Sequence, residues 1–168
     1  MNVYVIGAYP DIKAKKDLLE KLKKDPKIAA KIASGDLVFQ DMGASATYTK
    51  TYNIDNYGTF TNAKELSKAI GDSYDIGIIF CQSGIGAENY SAMYPNLVTG
   101  FVENAKHAKA VRKTGANVLH FSSKYSIKVF EKAKAFILAI PDVNNKQYQE
   151  TTQKLKGRFE RKKKEERQ

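Results

Sequence analysis

A single cysteine, Cys81, among 168 residues excludes an internal disulfide framework and any metal site built from several cysteines. No run approaches the roughly 20 apolar residues that a membrane-spanning helix needs, and a hydrophobic fraction of 42% is ordinary for a domain facing water. The opening, Met1-Asn2-Val3-Tyr4-Val5-Ile6-Gly7, lacks a basic region and a cleavage pattern. It is expected to be a first strand rather than a signal peptide, and a reducing cytoplasm is the expected setting. Neither G-x-x-x-x-G-K-[ST] nor G-x-G-x-x-G occurs, so the usual nucleotide fingerprints are missing. Internal repeats and a linker are also missing. The chain is therefore read as one domain with a real core, residues 1–153, and an appended basic tail, 154–168.

Positive charge is what the chain has in excess, at a formal +10. From Lys154 to Gln168 eight basic residues stand against three glutamates, a balance of +5 and half the total. Much of the remainder lies early, at Lys13, Lys15, Lys16, Lys21, Lys23, Lys24, Lys27 and Lys31. Such runs read as solvated helix faces and tails. No RNP-like motif or zinc-finger spacing accompanies them, so nucleic acid is not an expected partner.

The apolar periodicity alternates between strand and helix. Strands are expected at Asn2–Gly7, Leu37–Phe39, Asp75–Cys81, Leu97–Val102 and Asn117–Phe121. Between them come a helix capped by Asp11 with Leu18, Leu19 and Leu22 on one face, a short helix at Lys27–Ala33, and helices at Phe60–Ile70, Gly86–Met93 and Asn104–Lys113. After the last strand, Tyr125–Ile140 reads as an amphipathic helix with Ile127, Phe130, Phe136, Ile137 and Ile140 on one side, stopped by Pro141. Ala44–Gly58 is a long aperiodic loop carrying Tyr48, Tyr52 and Tyr57, read as surface anchors. Five strands with long crossovers imply an α/β fold: a Rossmann-like, doubly wound, five-stranded parallel sheet with helices on both faces.

The stretch Ile78-Ile79-Phe80-Cys81-Gln82-Ser83-Gly84-Ile85-Gly86 is chemically the most informative. A β-branched run without polar alternation is a strand buried on both faces. It ends in a thiol at the carboxyl edge, where open α/β sheets place ligands. A two-glycine turn then runs into a helix, which brings backbone N–H groups to an anion and favours a thiolate. By spacing alone a strand-end cysteine is more often an inert small hydrophobe.

Cys81-Gln82-Ser83-Gly84-Ile85-Gly86, followed by Gly115-Ala116-Asn117-Val118 and the turn Ser122-Ser123-Lys124, resembles the type B ribose-5-phosphate isomerases and the galactose-6-phosphate isomerase subunits. It leans towards the cysteine-bearing galactose-6-phosphate subunit. The resemblance implies an aldose–ketose isomerisation of a phosphorylated sugar through an enediolate, with no metal or other cofactor. It also implies a site shared between subunits of a homo-dimer or tetramer, or with a paralogous isomerase subunit. By the same resemblance Cys81 is the proton-shuttling base and Ser83 steadies the enediolate oxygen. Gly84, Ile85 and Gly86 cradle the substrate, and Tyr9 and Lys124 are its further candidate contacts. His120 is read as a core or interface histidine, and Asp41 as lining the same crevice.

The chain departs from the pattern at three places. Tyr9-Pro10 stand where the family has Asp-His, Thr114-Gly115 stand at a His-Asn pair, and the region 142–148 lacks Gly-Gly-Arg-His-x-x-Arg. These departures keep two other readings open: a relative that binds a sugar phosphate without turning it over, and a non-catalytic partner subunit.

Overall fold

The computed structural model describes residues 1–7, 9–44, 58–100 and 102–168. Tyr48, Tyr52 and Tyr57 lie outside the described residues, as does the side chain of Tyr9. The chain runs β1 (Asn2–Gly7), a 3-10 turn (Tyr9–Asp11), α1 (Ile12–Lys24), α2 (Pro26–Ala33), β2 (Val38–Ala44) and α3 (Gly58–Ile70). It continues with β3 (Ile76–Cys81), α4 (Ile85–Ser91), α5 (Ala105–Lys113), β4 (Val118–Ser122), α6 (Val129–Leu138) and α7 (Lys146–Glu166).

The strands form a parallel sheet in the order β2-β1-β3-β4, with helices on both faces. Side chains alternate between faces along each strand. Val3, Val5, Ile78, Phe80, Leu119 and Phe121 meet Leu18, Leu19 and Leu22 of α1 together with Phe136 and Ile137 of α6. On the other side Ile6, Ile79, Cys81 and Val118 meet Ala63, Leu66 and Ile70 of α3 and Ala87 of α4. Every residue of β3 is buried, as its unalternating apolar run requires.

The expected fifth strand at Leu97–Val102 is not formed among the described residues; only Thr99 bridges Val118. Asn117 explains why. Its side-chain oxygen accepts from the Val98 N–H (2.7 Å) and its amide donates to Asn96 O (2.7 Å), while Val98 O accepts both the Asn117 and Val118 N–H groups. A side chain thus takes the place of a ladder, and among the described residues the sheet has four strands.

Three further expectations are corrected. Asp11 stands before α1 but makes no side-chain cap bond there. The helix read over Tyr125–Ile140 begins only at Val129, and Ile127 and Ile140 are 68% and 80% exposed rather than on its buried face. Lys15, read as part of a solvated face, has a side chain only 4% exposed, with its ammonium 2.7 Å from Asp41.

Candidate active site

The strand order places β2 on one side of β1 and β3 on the other, so the chain reverses direction between β1 and β3. Open α/β sheets place their ligands at such a switch point, in the crevice beyond the carboxyl ends of the two strands. The 3-10 turn Tyr9–Asp11 leaves β1 on one flank, and Cys81 ends β3 on the other.

Cys81 is 4% exposed, and its sulfur is an acceptor for two backbone donors. The Gly84 N–H lies 2.9 Å from Sγ and the Ala87 N–H 3.4 Å. This geometry depends on Gly84, which precedes α4 at φ 79° with a Cβ position 3.4 Å from Ser122. A side chain there would be strained in the left-handed region. The turn therefore curls back over the thiol, so that the Gly84 and Ala87 N–H groups both point at sulfur. The Ser83 hydroxyl oxygen accepts the Ile85 N–H at 3.2 Å, which leaves its O–H free to donate. Ser83 and Ile85 are exposed beside the turn.

A residue that sequence reasoning gave no role holds this turn to its neighbour. Ser122, at the end of β4 and buried, donates to Gln82 O (2.6 Å) and accepts from the Tyr125 (2.8 Å) and Lys124 (3.2 Å) N–H groups. Ser123 completes the link: its N–H donates to Cys81 O (2.9 Å) and its hydroxyl to the buried Asp11 carboxylate (2.5 Å). The loops after β1, β3 and β4 are thereby fastened together. The paired serines after an apolar strand were the available signal, and its meaning depended on knowing that β4 lies beside β3.

Lys124 belongs to the same edge, exposed, with its ammonium 5.2 Å from the Tyr125 ring centre. His120 faces the same side of the sheet as Cys81, two residues before Ser122. Its Nε2 lies 3.6 Å from Glu88 of α4, and its Nδ1 is buried without a partner among the described residues. Burial pushes the His120 pKa down, and the nearby Glu88 carboxylate opposes that. Asp41 sits on β2 and is occupied by Lys15. The structure thus brings Cys81, Ser83, Gly84, Ile85, Gly86 and Lys124 to one edge, with the backbone of Tyr9 on the crevice's other flank. Among the described residues no group of three or more His, Cys, Asp or Glu is placed to hold a metal ion, and no helix is long and apolar enough to cross a membrane.

The model of the Ribose/Galactose Isomerase family matches residues 15–155, most of the chain. The chain belongs to that family. Solved structures agree on the fold. Ribose-5-phosphate isomerase B from Mycoplasma genitalium, with bound ribulose-5-phosphate, superposes with a TM-score of 0.66 at 18% identity, covering 94% of this chain and 95% of that one. The ribose 5-phosphate isomerase from Thermotoga maritima gives 0.61 at 17% identity, covering 90% of this chain and 97% of that one. A mutant of the Trypanosoma cruzi type B enzyme gives 0.67 at 14% over 93% and 94%. A search of curated proteins finds no match.

Proposed function

We propose that the chain is an aldose–ketose isomerase for a pentose or hexose phosphate, with Cys81 moving the proton. The observation that carries this reading is the sulfur at the end of β3 with two backbone N–H groups aimed at it. The thiolate takes the proton from the carbon beside the substrate carbonyl, which leaves an enediolate and a thiol. The thiol, whose proton exchanges with solvent, then protonates the former carbonyl carbon while the proton of the adjacent hydroxyl passes to the former carbonyl oxygen, so no oxidant or reductant is consumed. As the enediolate forms, the Ser83 O–H donates to its oxygen. Gly84, Ile85, Gly86, Tyr9 and Lys124 line the substrate's place, and a second copy or a paralogous subunit supplies the ring-opening and phosphate groups missing at Tyr9-Pro10, Thr114-Gly115 and 142–148.

The test is solvent deuterium incorporation at the carbon next to the carbonyl, with ribose, allose and galactose 5- or 6-phosphates as appropriate. Cys81→Ala is expected to lose activity by roughly 10²–10⁴-fold, the usual contribution of a positioned acid–base group, with the fold retained. Exchange that survives the substitution moves the base elsewhere. The missing Asp-His favours a second reading, a binding module without turnover; sugar-phosphate binding with no exchange in the wild-type chain would select it.

A further inference from the structure

At the other end of the sheet a cavity of about 70 Å³ opens between the segment before β3, the end of α5, the start of β4 and the first turns of α7. Tyr74, Arg112, Gly115, Asn117, Tyr148 and Thr152 line it. Tyr74 precedes β3 by two residues and Cys81 ends that strand, so the two sites lie roughly 20 Å apart at the rise of a β-strand.

Arg112 is the unusual member. Its residue is only 4% exposed, yet among the described residues no carboxylate pairs with it. Nη1 donates to Ala116 O (3.0 Å) and Nη2 to Tyr74 O (3.3 Å), and the guanidinium carbon lies 5.7 Å from the centre of the Phe136 ring. The Nε–H is buried and has no acceptor among the described residues. Two carbonyl dipoles and a ring face offset part of a buried positive charge, but they leave a donor unused, and an unused buried donor on a cation is costly. The side chain stays charged despite the lowering that burial imposes, because guanidinium titrates far above neutrality.

The other walls suit the same ligand. Asn96 and Asn117 have committed their amides to backbone carbonyls. Tyr148 is buried, and burial with the neighbouring Tyr74 phenol pushes its pKa up more than Arg112 pulls it down. Its hydroxyl therefore keeps its proton and can donate. Among the described residues Asp72 is the one carboxylate lining the cavity, and it is exposed to solvent.

We propose that this cavity binds a small oxyanion, a carboxylate or a phosphate, through the Arg112 guanidinium with the Tyr148 hydroxyl as second donor. The reading is independent of the chemistry at Cys81. The experiment is an NMR titration of the ¹⁵N-labelled full chain, which reports the arginine Nε–H directly. Sodium acetate and sodium phosphate are added separately, against sodium chloride at matched ionic strength. The expected result is a saturable shift of the Arg112 Nε–H and of the Gly115 and Asn117 amides with one or both oxyanions, and the more strongly bound one identifies the ligand class. Tyr148→Phe, which keeps the ring, should weaken binding by about tenfold, as loss of one hydrogen bond to a charged group does. Shifts that chloride reproduces, saturable shifts confined to Ser83–Ala87, or unchanged affinity in Tyr148→Phe would each overturn the proposal. None of these outcomes bears on isomerase turnover, so the two readings stand or fall separately.

Discussion

The Cys81 sulfur and the His120 imidazole share a face of the sheet but are held in opposite ways. Two backbone donors face the first, while the second keeps one ring nitrogen buried without a partner among the described residues. Burial dominates at His120 and lowers its pKa from 6.5, with Glu88 opposing. The unfolded chain then binds a proton that the folded chain resists, so this contribution to stability is present above about pH 6.5 and is lost as pH falls below it. Denaturant titrations of wild type and His120→Gln between neutral pH and the onset of carboxylate titration should show a flatter profile in the variant. An identical slope in both would assign the loss to other groups. Cys81 to Gly86 was legible in the sequence because strand, thiol and glycines are consecutive. Ser122 and Asp11 were not, since each acts across a gap in sequence: Ser122 reaches back to Gln82, and Asp11 takes the Ser123 hydroxyl.

Whole elements were legible where periodicity and partner agreed. β1, β3, β4 and α3 fall close to their expected places because their apolar residues point at a sheet face or away from one. The strand expected at 97–102 failed because β-propensity says nothing about a competing side chain, and Asn117 occupies the backbone groups a ladder would use. The contact between α3 and β3 shows how closely elements meet when a glycine permits it. A Cβ on Gly77 would lie 2.6 and 2.7 Å from the two methyls of Leu66, itself fully buried. Gly77→Ala should therefore cost about 1–3 kcal/mol, the usual penalty of overpacking, read as a lower denaturation midpoint with unchanged slope. Leu66→Ala alone leaves a cavity, but it makes room for that Cβ. The double variant should be more stable than the sum of the two single losses predicts. Simple additivity would mean that α3 shifts as a body instead.

At the scale of the whole molecule the open question is where the folded unit ends. The sequence suggests a boundary after residue 153, because the charge density rises there and the apolar surface thins. α7 runs through that position as a continuous helix from Lys146 to Glu166. Its first two turns are anchored: Asn145 accepts the Gln147 and Tyr148 N–H groups, Tyr148 is buried, and Thr151 lies 3.3 Å from the Cβ position of Gly115. Arg161 and the residues from Lys164 onward are exposed. Helix propensity alone holds an isolated charged segment weakly, whereas the buried tyrosine ties the start of α7 to the cavity at Arg112. Two truncations separate these contributions. Ending the chain after Thr152 removes the stretch richest in charge and poorest in apolar residues, and should leave stability within about 0.5 kcal/mol of the full chain. Ending it after Asn145 removes Tyr148 and should cost about 3–5 kcal/mol, the range for deleting a large buried aromatic. Thermal melting at several protein concentrations reads both. If the first truncation alone lowers the melting temperature, and does so more at high protein concentration than at low, the basic end of α7 is part of an interface between chains rather than a solvated tail.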